Sequence, residues 1–281
     1  MRKCITLAIG LFALSAVILA APVRGDLIQA TSFPDALGST TMTIAYDGTY
    51  YWSSTGGSAG EIREAQYDSS GNLIATYAPG LDFRSIFTNA AGQVFARAYS
   101  DPRIYIQTSP GVFTPYATLS GGSLHDQSSV VLNGAGTEYI AMLVGSVSRW
   151  DLGGNFLGST ILSGYGSGDG ETSYPQNRGI GAAGNSYFTY SNGVMSTWDL
   201  AGNRIATDNL IGAGTSFSSF FSFSYTRGMP FVIDDAGGTW RGFSVDGNIP
   251  SGAVPEPSSL AMLGIGALGA ASLIRRKRFS A

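Results

Sequence analysis

The chain has 281 residues, 39 of them glycine, and a formal charge of −3 at pH 7. A single cysteine, Cys4, and a single histidine, His125, exclude a disulfide framework, a cysteine-based zinc site and any multi-histidine metal centre, so neither a metal nor a cofactor is expected. The only lysines are Lys3 and Lys277, and within residues 26–252 carboxylates outnumber arginines about two to one, which argues against a nucleic-acid partner.

At the N-terminus, Arg2 and Lys3 precede an apolar run from Cys4 to Ala20 that is too short and too early for a stable span. This pattern predicts a secretory signal peptide over residues 1–25 and passage through the Sec translocon. Val23 and Gly25 supply the small residues of a cleavage site, so the mature chain is expected to start near Asp26, with Ala20 or Ala21 as alternatives. Cleavage would also remove Cys4.

Residues 26–252 are rich in glycine, serine, threonine and aromatics and show no amphipathic helical period. Short alternating apolar runs bounded by Gly and Asn predict an all-β ectodomain. One turn recurs in "QYDSSGNLIATY" from Gln66, "RWDLGGNFLGST" from Arg149 and "TWDLAGNRIATD" from Thr197, and more weakly in "FSVDGNIPSG" from Phe243. Its Asp can accept local backbone N–H groups, while Gly and Asn tolerate the positive φ of a tight hairpin. A second turn interleaves with it, in "IAYDGTYYW" from Ile44, "FTNAAGQVFA" from Phe87, "VLNGAGTEYIAM" from Val131 and "GAAGNSYFTY" from Gly181.

Two hairpins per unit give four strands, and a four-stranded unit recurring every ~40–50 residues predicts a β-propeller-like ring of about five four-stranded blades. The last unit, from about Ser216 to Asn248, lacks an outer strand. "DLIQATSF" from Asp26 resembles the outer strand "NLIATYA" of the first unit, so Leu27 to Phe33 is expected to complete the fifth blade. The Trp-Asp pairs at Trp150 and Trp198 lack the Gly-His partner of WD repeats. They, with Tyr50, Tyr51, Trp52, Tyr187 and Phe188, are read as inter-blade core rather than carbohydrate platforms.

Propeller ligands are expected at the mouth where the innermost strands begin. That reasoning selects Asp82 and Arg84, His125 and Asp126, and Gln176 and Arg178 as candidate ligand-binding residues. Asp82 and Asp126, with Asp35 or Asp169 as a third, are the carboxylates a glycoside hydrolase would need across the channel. Asp169 and Glu171, in the long loop "GYGSGDGETSYPQN" from Gly164, offer hard oxygens for Ca²⁺ but lack the ligand spacing of an EF-hand.

The tail begins with Val254, Pro255, Glu256 and Pro257. An uncharged apolar run follows from Ser259 to Ile274, and then Arg275, Arg276, Lys277 and Arg278. As a helix the run is roughly 24 Å long, short of a hydrocarbon core of about 30 Å, but the basic cluster can snorkel to the headgroups, so a single transmembrane helix over 259–274 is expected. The order Pro-Glu-Pro, span, basic cluster resembles the PEP-CTERM sorting signal of bacteria that make exopolysaccharide. This resemblance covers residues 253–281 and implies recognition by an exosortase-type membrane protease, with Pro255, Glu256 and Pro257 as recognition residues. It further implies cleavage near them and delivery to the cell envelope or extracellular matrix.

The expected protein is thus an exported, non-catalytic binding or structural propeller associated with exopolysaccharide. A secreted glycan-active hydrolase using channel carboxylates is the alternative, and a pure spacer is favoured if apolar side chains plug the mouth.

Overall fold

A computed structural model describes residues 23–38, 41–57, 64–166, 178–213, 222–234 and 238–250. The expected signal peptide up to residue 22, the long-loop residues Asp169, Glu171 and Gln176, and the whole sorting tail with its expected span lie outside the described residues.

Every described element is a strand. The chain opens with β1 (Val23–Pro34), and then come four complete antiparallel four-stranded blades. Blade 1 is β2 (Thr41–Tyr46), β3 (Tyr51–Thr55), β4 (Glu64–Tyr67) and β5 (Leu73–Tyr77). Blade 2 is β6 (Phe83–Thr88), β7 (Val94–Ala98), β8 (Arg103–Ser109) and β9 (Val112–Thr118). Blade 3 is β10 (Val130–Leu132), β11 (Glu138–Leu143), β12 (Ser146–Asp151) and β13 (Phe156–Ile161). Blade 4 is β14 (Gly181–Ala183), β15 (Ser186–Ser191), β16 (Val194–Asp199) and β17 (Arg204–Leu210). Blade 5 has β18 (Ser224–Thr226), β19 (Met229–Asp234) and β20 (Thr239–Ser244), and takes its fourth strand from β1.

Ile28–Pro34 runs antiparallel to β20, with a bulge between Gln29 and Thr31. The N-terminal half of β1, Val23–Leu27, runs parallel to β17 and stitches blade 4 to blade 5. The closing strand is therefore displaced by one residue from the expected Leu27–Phe33, because Leu27 belongs to the parallel half. A cut before Asp26 removes the Val23, Arg24 and Gly25 pairs of that half, whereas a cut at Ala20 or Ala21 keeps them. Innermost strands of successive blades touch all the way round, and β18 meets β2, so the ring is closed.

Burial follows position in the blade. Strands β2, β3 and β4 are sandwiched between neighbouring blades and buried on both faces, whereas the rim strands β5, β9 and β13 are half exposed. The indoles Trp52, Trp150, Trp198 and Trp240 lie in the inter-blade core, as do Tyr51, Tyr187 and Phe188, while Tyr50 is half-buried.

The recurrent Asp turns join third to fourth strands. Asp68, Asp151 and Asp199 each accept the backbone N–H and the side-chain amide of Asn72, Asn155 and Asn203. These bonds hold the three carboxyls below their ordinary pKa. The glycine before each Asn has positive φ, and in two turns it also seats the hairpin on the previous blade. A Cβ on Gly154 would overlap the Thr118 carbonyl, and one on Gly202 the Ile161 carbonyl. Gly202→Ala therefore combines a left-handed backbone with a clash against fixed main chain and is expected to cost about 3 kcal/mol. Gly136→Ala, at positive φ but in open space, should cost only about 1 kcal/mol; chemical denaturation of the two variants checks the difference.

Candidate functional site at the channel mouth

Each innermost strand has a blade partner on one edge only, so its other edge presents unpaired backbone groups to the axis. Hydroxyls from adjacent blades satisfy several of them. Thr43 Oγ1 accepts the Ile86 N–H at 2.6 Å and donates to its carbonyl, and Ser85 does the same for Val130 at 3.0 and 2.8 Å. Ser224 and Thr226 accept the N–H groups of Ile44 and Tyr46, and Thr88 donates to the Tyr46 carbonyl. Serine and threonine on the inner strands thus join the blades around the axis.

A cavity of about 800 Å³ opens at the end of the channel where the innermost strands finish and turn back. Its floor reaches Ile44, Ile86, Val131, Gly181 and Ser224, and its rim is the five inner hairpin turns. Small turn residues keep it open: Gly48, Ala90, Gly134, Ala135, Ala183 and Gly184 all line it. Ile249 and Pro250, where the described chain ends, lie on the same rim.

Two charged side chains line this cavity among the described residues, Asp47 and Arg227. Asp47 is held by three donors: Oδ1 accepts from the N–H groups of Thr49 and Tyr50, and Oδ2 from Trp52 Nε1, each at 2.7 Å. Arg227 is half-buried, with its guanidinium carbon 4.4 Å from the centre of the Tyr46 ring. Its Nη1 donates to Tyr51 Oη at 2.8 Å and to the Ser69 carbonyl at 3.1 Å. Burial raises the Tyr51 phenol pKa, and the bond from Arg227 opposes that rise.

Those of the sequence-selected residues that are described, Asp82, Arg84, His125, Asp126 and Arg178, gather at the opposite end of the inner strands, and none of them lines the cavity. Asp82 pairs with Arg84 Nη1 and accepts the Gly57 N–H, while Arg84 Nε donates to Gln127. The Arg84 guanidinium also lies 4.6 Å from the centre of the Tyr99 ring. Behind it, Arg97 is buried and donates to the carbonyls of Asp101, Asp126 and Ser128. Burial, helped by the charge of Arg84, lowers the Arg97 pKa to about 10. Asp126 is exposed and contributes its backbone oxygen, and His125 Nδ1 accepts the Gln127 N–H within the same turn. Arg178 is buried, its carbonyl accepts the Ser129 N–H, and its Nε and Nη1 have no hydrogen-bond partner among the described residues. Asp35 is bound by Thr41, Gly38 and Tyr67, with burial raising its pKa.

At that end Arg84 and Arg97 link neighbouring blades through Asp82, Gln127 and the carbonyls of Asp126 and Ser128. Arg227, which lines the cavity, was not singled out from the sequence because no local motif marks it. The available signal was an arginine at the first position of a two-residue hairpin, where Asn, Asp or Gly is preferred.

One more group stands out away from the channel. Glu64, at the start of β4, is completely buried between blades 1 and 2. Oε1 accepts from Gln107 Nε2 at 2.7 Å and Oε2 from the Gly111 N–H at 3.1 Å. None of its hydrogen-bond partners among the described residues is a cation, and burial pushes its pKa up to about 8.

Five four-stranded blades closed into a ring by the N-terminal strand make the described part of the chain a β-propeller. The structure of glutaminyl cyclase from Myxococcus xanthus is similar, with a TM-score of 0.57 and 10% identity over 80% of this chain and 98% of that one. A protein of unknown function from Bacteroides thetaiotaomicron aligns with a TM-score of 0.49 and 10% identity, covering 80% of this chain and 75% of that one. At 10% identity the cyclase likeness is one of fold alone. No curated protein matches the chain in sequence. Residues 253–278 match the PEP-CTERM protein-sorting motif, which implies export and processing by an exosortase at the membrane.

Proposed function

We propose that the protein is an exported, non-catalytic propeller that binds a glycan of the extracellular matrix in its channel mouth. The tail holds it briefly at the inner membrane through the 259–274 helix, and exosortase cleavage near Pro255-Glu256-Pro257 then releases it to the envelope or matrix. The observation carrying the reading is the cavity of about 800 Å³, a size suited to a short oligosaccharide, at one end of the channel. A hydrolase would need two carboxylates facing one substrate, one protonated and one ionised. Among the described residues the mouth has one, Asp47, whose oxygens are held by three donors. Among the described residues no large apolar side chain plugs the cavity, which counts against a pure spacer.

A glycan array probed with the exported, processed protein, paired with an assay for new reducing ends, tests this. Glycan binding without new reducing ends is expected. Turnover that disappears in Asp82→Asn or Asp126→Asn would establish the hydrolase instead, and the absence of binding to any glycan would remove the binding role.

A further inference from the structure

We infer that Arg227 makes the channel mouth a carboxylate-reading site, so that the glycan bound there is a uronate-containing one. The inference rests on the proposed glycan-binding role and adds the chemical class of the ligand.

Arg227 and Gly228 form the two-residue loop between β18 and β19, with φ of 53° and 73°. A long side chain in the left-handed region is disfavoured, and the turn type prefers Asn, Asp or Gly at that position. The backbone departure alone does not mark a site, since Val144 holds the same turn position between β11 and β12 outside the cavity; Arg227 is set apart as the one cation lining the cavity among the described residues. The guanidinium is also fixed before any ligand arrives. Its plane is held near the Tyr46 ring, and both of its hydrogen bonds, to Tyr51 Oη and the Ser69 carbonyl, leave from Nη1.

Nε and Nη2 make no recorded hydrogen bond, and no carboxylate among the described residues pairs with Arg227. Those two nitrogens form the edge of the guanidinium that grips a carboxylate through two parallel N–H···O bonds. A single available positive charge matches a monoanion such as a uronate better than a phosphate dianion.

The test is calorimetric titration of the exported, processed protein with oligomers of galacturonate, glucuronate, mannuronate and guluronate. Each is compared with its own methyl ester, which keeps the sugar and removes the charge. At least one oligouronate is expected to bind tenfold or more tightly than its ester. Arg227→Asn suits the positive φ, should remain folded by thermal melt, and should abolish that preference. Arg227→Lys keeps the charge without the fork and should retain less than about a third of it. Uronates and esters that bind alike would overturn the inference while leaving glycan binding intact, as would a preference that survives in Arg227→Asn. If no oligomer of either form binds, both the inference and the glycan-binding role fail.

Discussion

Phe33→Ala is expected to destabilise the ring by about 4 kcal/mol, a large share of the stability of an ordinary domain. Phe33 is 4% exposed although it stands near the start of the described chain. Its ring lies 5.3 Å from that of Tyr51 and 5.2 Å from that of Tyr67, so the closing strand of blade 5 is keyed into blade 1. A Cβ on Gly71, in the Asp68 turn, would overlap the same ring. Truncation would leave a cavity exactly where first and last blades meet, with fixed strands on both sides and little scope for collapse. Ile28, on the same strand but 50% exposed, supplies the control: Ile28→Ala should cost less than about 1 kcal/mol. Urea denaturation of the two variants measures the contrast, and similar small losses would mean that β1 does not close the ring.

Glu64→Gln is expected to make stability less dependent on pH. A carboxyl whose pKa is about 8 when folded and near its ordinary value when unfolded binds more protons in the folded state between those limits. Its contribution to stability is therefore fully present below about pH 4.5 and is lost as pH rises through 8. Gln107 and the Gly111 N–H partly compensate the anion but bring no positive charge. The stability difference between variant and wild type should grow in favour of the variant by about 4 kcal/mol from pH 5 to pH 9. Denaturation at closely spaced pH values reads this directly. Parallel curves would show that Glu64 is solvated or paired in the folded protein.

The parts of this fold that could be read from sequence are the ones made locally. Asp68 with Asn72, Asp151 with Asn155 and Asp199 with Asn203 are contacts four residues apart, and the same spacing that suggested hairpins produces their hydrogen bonds. The closing strand was visible because its resemblance to blade 1's outer strand reflects the same half-exposed rim position. Its bulge at Gln29 and its parallel pairing with β17 were not visible, since both depend on how blades 4 and 5 meet across the closure.

The candidate site draws less on local pattern than the fold does. The sequence pattern selected the end of the channel where the inner strands begin and did not mark the cavity at the other. That cavity is left by glycine and alanine in turns from separate blades, a matter of side-chain volume around the ring and not of any local motif. Arg227 carries no motif, and its interest comes from a backbone angle together with the groups its guanidinium leaves unengaged.

Calorimetric titration of matrix oligosaccharides into the exported protein and its Ala135→Trp variant tests the central claim most directly. Ala135 is exposed on the cavity rim, where an indole can occupy the mouth without disturbing the blades. Wild type is expected to bind, and the variant to bind at least tenfold more weakly with an unchanged melting temperature. Equal binding by both proteins would place the glycan elsewhere and contradict a channel-mouth site.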